Sequence, residues 1–116
     1  MDQNAKKIQT VIQYCQDPEK VGDWYADFLG LSRAAPGPFF VLEGGGALFI
    51  APGEPGTGRG GTAVCFAVSD LHAAYEERLE RGYKFNEEPY EVPGGWFVTI
   101  NDPEGNIVGL QDDRSS

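Results

Sequence analysis

Histidine is almost missing from this sequence: His72 stands alone among 116 residues. The two cysteines, Cys15 and Cys65, lack the CxxC or Cys/His spacing of a zinc or redox site. Basic residues are also few, nine Lys and Arg against eighteen Asp and Glu, for a formal net charge of −9. That balance argues against nucleic acid, whose phosphates call for basic patches, and against an anionic membrane surface. The opening MDQNAKKIQT has no apolar core of a secretory leader, and no apolar run approaches the ~20 residues that span a bilayer. The expectation is a cytoplasmic protein whose two thiols are small buried hydrophobes.

What is present describes one small globular domain, with 41% hydrophobic and 23% charged residues. The acidic excess serves solubility and would also concentrate a cationic ligand. Within the chain one unit is written twice. VIQYCQD (Val11 to Asp17) matches VCFAVSD (Val64 to Asp70), each an alternating run that ends in a helix-capping aspartate. In the first copy Pro18 opens a helix, Val21, Trp24, Tyr25, Phe28 and Leu29 share one face, and Gly30 stops it. In the second, Leu71, Ala74, Tyr75, Arg78 and Leu79 follow the same rhythm up to Gly82.

A short strand is expected after each helix, near Ser32–Ala34 and Lys84–Asn86, and a hairpin closes each half. FFVLE turns at Gly44–Gly46 into ALFIA; WFVTI turns at Asp102–Asn106 into IVGLQ, with the glycines and Asn106 expected at positive φ. PGEPGTGRGG reads as a linker. The fold expected is α+β: two βαβββ modules, residues 6–51 and 62–113, joined by linker 52–61 within a single domain. They would form a curved mixed sheet with both helices on its outer face.

Three motifs then resemble the vicinal oxygen chelate superfamily, the glyoxalase, bleomycin-resistance and extradiol-dioxygenase group. They are the C-terminal DPEGNIVGLQ, the helix end WYADFLGL and the second-module start FAVSDLHAAYEERLERG. In metal-containing members the resemblance implies a ligand on the first and on the last strand of each module. Counting seven residues back from Asp17 and Asp70 gives Thr10 and Ala63; the position before Leu110 gives Gly109, and its counterpart is Phe49. A divalent metal needs three or four N, O or S donors converging at about 2 Å. Carbon side chains, a bare backbone and one hydroxyl do not supply them, so no metal and no other cofactor is expected. His72, on a helix, is read as an exposed or partly packed residue, not a ligand or base.

If those four positions face the inside of the sheet, their i±2 neighbours do too. That places Thr10, Ile12, Tyr14, Phe39, Val41, Phe49, Ala63, Cys65, Phe97, Thr99, Gly109 and Gln111 in a cavity, together with Ala47, Ala67 and Ile107. The opposite faces are apolar and suit helix cover, Gln13 excepted. Trp96 and Tyr90 would form a lip beside Pro93–Gly95. The cavity would hold no formal charge, with aromatic walls, space at Ala47, Ala63, Ala67 and Gly109, and polar handles at Thr10, Tyr14, Thr99 and Gln111. Such a surface suits a small aromatic or hydrophobic molecule; a cationic part of it would meet the rings or Glu87, Glu88 and Glu91.

The reading is a metal-free binding protein that sequesters such a compound, in the manner of the bleomycin-resistance branch, with no catalytic residue. The alternatives are a glyoxalase-fold lyase, isomerase or dioxygenase-like enzyme with a non-standard site, using Tyr14, Glu43 or Glu91 as acid or base, and a non-catalytic interaction module. The resemblance also implies a homodimer.

Overall fold

The structure, a computed structural model, describes residues 8–34, 37–53, 63–92 and 95–112. The termini, positions 54–62 of the expected linker and the Pro93–Gly94 part of the expected lip lie outside the described residues. The chain divides into two compact units, Met1–Pro55 and Gly56–Ser116.

The first unit runs β1 (Thr10–Cys15), α1 (Pro18–Leu29), β2 (Phe39–Val41) and β3 (Ala47–Pro52). Its sheet has the order β1-β3-β2, with β1 parallel and β2 antiparallel to β3. Pro52, expected to begin the linker, instead closes β3 opposite Cys15. Asp17 caps α1 by accepting from the Lys20 N–H at 3.2 Å, and Pro18 occupies the first turn, where no N–H is missed. Gly30 ends the helix at φ 70°, a left-handed conformation that costs glycine nothing. Val21, Tyr25 and Phe28 are buried, and the Trp24 ring stacks on Phe28 with centroids 4.8 Å apart. Gly22 is buried as well: a β-carbon there would overlap Pro38 Cβ, so its absence lets α1 approach the chain entering β2.

The second unit runs β4 (Val64–Val68), α2 (Leu71–Glu80), β5 (Tyr90–Val92), β6 (Gly95–Asn101) and β7 (Ile107–Asp112). Its order is β4-β7-β6-β5, β4 being parallel to β7 and the remaining pairs antiparallel. The repeat extends to register. Ile12 sits opposite Phe49 in the first unit, and Cys65 sits opposite Gly109 at the matching place in the second.

The strands expected directly after the helices are not formed. In the first unit a single hydrogen bond, Ala34 N–H to Phe39 O at 2.8 Å, stands in for one. In the second, Asn86 N–H bonds to Thr99 O at 2.9 Å and the strand proper begins later, at Tyr90. Three residues with one ladder contact do not propagate a strand.

Each helix covers one face of its own sheet. The buried strand residues there, Cys15, Phe40, Leu48 and Ile50 in one unit and Phe66, Val98, Ile100, Val108 and Leu110 in the other, are those whose parity predicted it. Each contributes on the order of 1.5–3 kcal/mol of apolar transfer. Gln13 is half-buried among them opposite Ile50, and nothing in the structure explains it. Helix α2 grips less tightly than expected, with Leu71 buried and Leu79 exposed. Its start is doubly capped: Asp70 accepts from Ala73 N–H at 3.2 Å, and the buried Asp112 of β7 accepts from Leu71 N–H at 2.7 Å.

The β6–β7 turn is organised by Asp102. One carboxylate oxygen accepts from the N–H groups of Glu104 and Asn106, both at 2.9 Å, and the other from the Asn106 amide at 3.0 Å. Gly105 alone in that turn takes positive φ, at 88°, so Asn106 does not play the backbone role expected of it. It is buried and holds Asp102 instead.

Candidate functional site

The strand faces turned away from the helices are the open ones. In the first unit Ile12, Phe49 and Phe39 line up across three strands. Thr10, Ala47 and Val41 form the next row. Ile12 is 47% exposed, Tyr14 49% and Val41 60%, which makes this an apolar surface in contact with water. The Phe39 and Phe49 rings meet at 6.1 Å and a tilt of 58°. Tyr14, opposite Ala51, lays its ring against Gly53, where a β-carbon would come within 2.8 Å of it.

In the second unit Cys65, Gly109 and Thr99 make one row, and Ala67, Gln111, Phe97 and Tyr90 the next. Tyr90 packs edge-on against Phe97 at 5.7 Å. Ala63, just before β4, is exposed. Three expectations are corrected on this face. The space above Gly109 is taken: a β-carbon would lie 2.8 Å from Phe97 Cε1 and 2.9 Å from Cys65 Sγ. Cys65 is exposed, not buried; partial desolvation still pushes its thiol pKa up. Trp96 does not join the face. Its parity is opposite to that of Phe97, and its ring meets His72 of α2 edge-on at 4.7 Å.

A fourth correction concerns charge. The Glu87 carboxylate reaches Thr99, accepting its backbone N–H at 2.6 Å and its hydroxyl at 2.9 Å. Asn86 donates to the same hydroxyl oxygen and to Asn101 Oδ1, each at 3.0 Å. The open face of the second sheet therefore carries a carboxylate. No periodicity signals this, since Glu87 lies in an irregular segment that only tertiary folding brings to β6. Glu91, on β5 opposite Trp96, is exposed with the other parity.

The four metal-equivalent positions make a poor donor set. Phe49 is engaged with Phe39, Gly109 lies under Phe97 and Cys65, Ala63 ends in a methyl, and Thr10 offers one exposed hydroxyl. Among the described residues no cluster of three His, Cys, Asp or Glu is arranged to hold an ion. The residues present do not fit the divalent metal that the fold family implies.

The paired βα-hairpin units and these sheet faces define the class. The chain belongs to the Glyoxalase/Bleomycin resistance protein/Dioxygenase superfamily, whose family model matches residues 7–110. Among individual proteins it is similar to YetH, an uncharacterized protein of Bacillus subtilis strain 168, with 27% identity across 92% of this chain and 98% of that one. Its fold is similar to that of TnmS3, an antibiotic binding protein from Streptomyces sp. CB03234, with TM-score 0.77, 23% identity and coverage of 96% and 98%. It is equally close to lactoylglutathione lyase from Agrobacterium tumefaciens, with TM-score 0.77, 21% identity and 96% of each chain covered. At these identities the structural likeness is one of fold. Among the described residues no helix is long and apolar enough to cross a membrane.

Proposed function

We propose that this chain is a metal-free binding protein that sequesters a small aromatic or hydrophobic compound on the open faces of its sheets. One observation carries the reading: those faces present rings and aliphatic groups, Phe39, Phe49, Ile12, Phe97 and Tyr90, while the four metal-equivalent positions, Thr10, Phe49, Ala63 and Gly109, make a poor donor set. Aromatic walls with a few hydrogen-bonding groups are the usual make-up of a small-molecule site. TnmS3, a protein of this fold, is an antibiotic binding protein, and a resistance role in the cytoplasm is the corresponding reading for this chain. The half-exposed Ile12, Tyr14 and Val41 further support a homodimer, in which a second copy removes part of this apolar surface from water.

The test is a thermal-shift screen of the metal-stripped protein against aromatic antibiotics and aromatic metabolites. Binding to the native state at a hundred times Kd stabilises it by about 2.7 kcal/mol, so a binder raises the midpoint by several degrees. A library that leaves the midpoint unmoved, with activity appearing only on adding a divalent metal, contradicts the reading.

A further inference from the structure

We propose that the open face of the second sheet selects an aromatic amine that is cationic at neutral pH, and that Glu87 is the residue that selects it. The proposal deepens the small-molecule reading above and rests on it. Among the described residues, Glu87 is held by hydrogen bonds from Thr99. Its two oxygens accept the Thr99 N–H at 2.6 Å and the hydroxyl at 2.9 Å. Asn86 donates to the hydroxyl oxygen at 3.0 Å, which leaves the hydroxyl hydrogen directed at the carboxylate. A carboxylate has about four acceptor positions, so two donors from one residue leave capacity for a ligand. Among the described residues no Lys, Arg or His forms an ion pair with Glu87.

The rings stand beside this carboxylate. Phe97 precedes Thr99 by two residues on β6, about 7 Å along the strand, and points to the same face. Tyr90 extends the aromatic surface by its edge-on contact at 5.7 Å. A planar ligand lying on Phe97 and Tyr90 thus brings a substituent at its end to Glu87. The sign of that substituent follows from charge. Strands β4 to β7 contain no Lys, Arg or His, and the chain as a whole carries −9, so these strands offer an anionic ligand no countercharge. A neutral ring that covers Glu87 strips water from a carboxylate and returns nothing. A cation restores the lost interaction, and the ring faces add to it.

Three probes that share one skeleton separate the terms: 9-aminoacridine, a cation at neutral pH, neutral acridine, and anionic acridine-9-carboxylate. Binding is measured by fluorescence titration at 0.15 M salt, where long-range attraction to the net charge is largely screened. The expected order is 9-aminoacridine at least tenfold tighter than acridine, with the carboxylate weakest. Glu87→Gln is expected to bring the first two within threefold while acridine is unaffected. Glu88→Gln removes the same formal charge from an exposed neighbour and is expected to leave the preference intact. Should E87Q not fold, Glu87→Asp keeps the charge but withdraws it by one methylene, and is expected to weaken the amine alone. Equal affinity for the three probes, or equal effects of E87Q and E88Q, overturns the amine selectivity while leaving aromatic capture standing. Failure of both acridine and 9-aminoacridine to bind overturns both.

Discussion

At Gly109 a methyl group would meet Phe97 Cε1 at 2.8 Å and Cys65 Sγ at 2.9 Å, closer than real β-carbons approach anything. Gly109→Ala therefore forces the Phe97 ring off its seat, and urea unfolding is expected to show a loss of about 1–3 kcal/mol. Adding Cys65→Ala removes one of the two obstacles and is expected to return part of that loss, a coupling that a double-mutant cycle reads directly. The same neighbourhood sets thiol chemistry. Partial desolvation disfavours the Cys65 thiolate, so its pKa lies above that of an ordinary thiol. Iodoacetamide is expected to alkylate Cys65 more slowly than free cysteine near pH 8, the gap narrowing as pH rises. Cys15, fully buried, is expected to react only on unfolding. Counting the sequence against the family pattern identifies Gly109 as a missing ligand, but not what fills the space; that depends on side-chain rotamers on the two neighbouring strands. Gly22 is the converse case. A glycine inside a helix is readable as a sign of close packing, and Pro38 proves to be the neighbour.

At the scale of elements, the two helices were legible from their caps and apolar spacing because both signals are local. The strand faces were legible for the same reason: alternation alone separates Leu48, Ile50, Val98 and Val108, all buried, from Ile12 and Val41, which are exposed. Contacts made across the sequence were not legible. Asp112 sits at the end of β7, and its carboxylate crosses 41 positions of chain to accept the Leu71 N–H at the start of α2. Read from the sequence, this strand ends at Gln111, one residue short of Asp112. Because α2 buries little beyond Leu71, this tie matters to how the helix is seated. Asp112→Ala leaves the N–H without an acceptor, and a loss of about 1–3 kcal/mol is expected. Asp112→Asn keeps an acceptor and loses only the charge at the positive helix end, an effect nearer 0.3–1 kcal/mol. Equal losses in chemical denaturation would show that the hydrogen bond is not what Asp112 contributes. The short strands expected after the helices failed for a related reason: whether three residues pair depends on the partner edge, which no local pattern encodes.

Across the whole molecule, duplication has produced two sheets with matching register and different open faces. The first sheet's strands contain no charged residue and expose aliphatic and aromatic groups; the second's face carries a carboxylate, a thiol and an aromatic pair. Family membership was readable from DPEGN and the helix-end motif. Glu87 was readable as a carboxylate near the site, but its seat on the second face through Thr99 was not, since it reaches that face from outside any element. The central claim is that these faces bind an aromatic molecule with no metal involved. Methyl-resolved carbon–proton NMR of the EDTA-treated protein, titrated with acridine, tests it most directly. The expected result is progressive shifts of the Ile12, Val41 and Thr99 methyls while those of Ile50, Val98 and Ile100, beneath the helices, hold still. Methyls that stay put throughout, or that move first on the helix side, would contradict it.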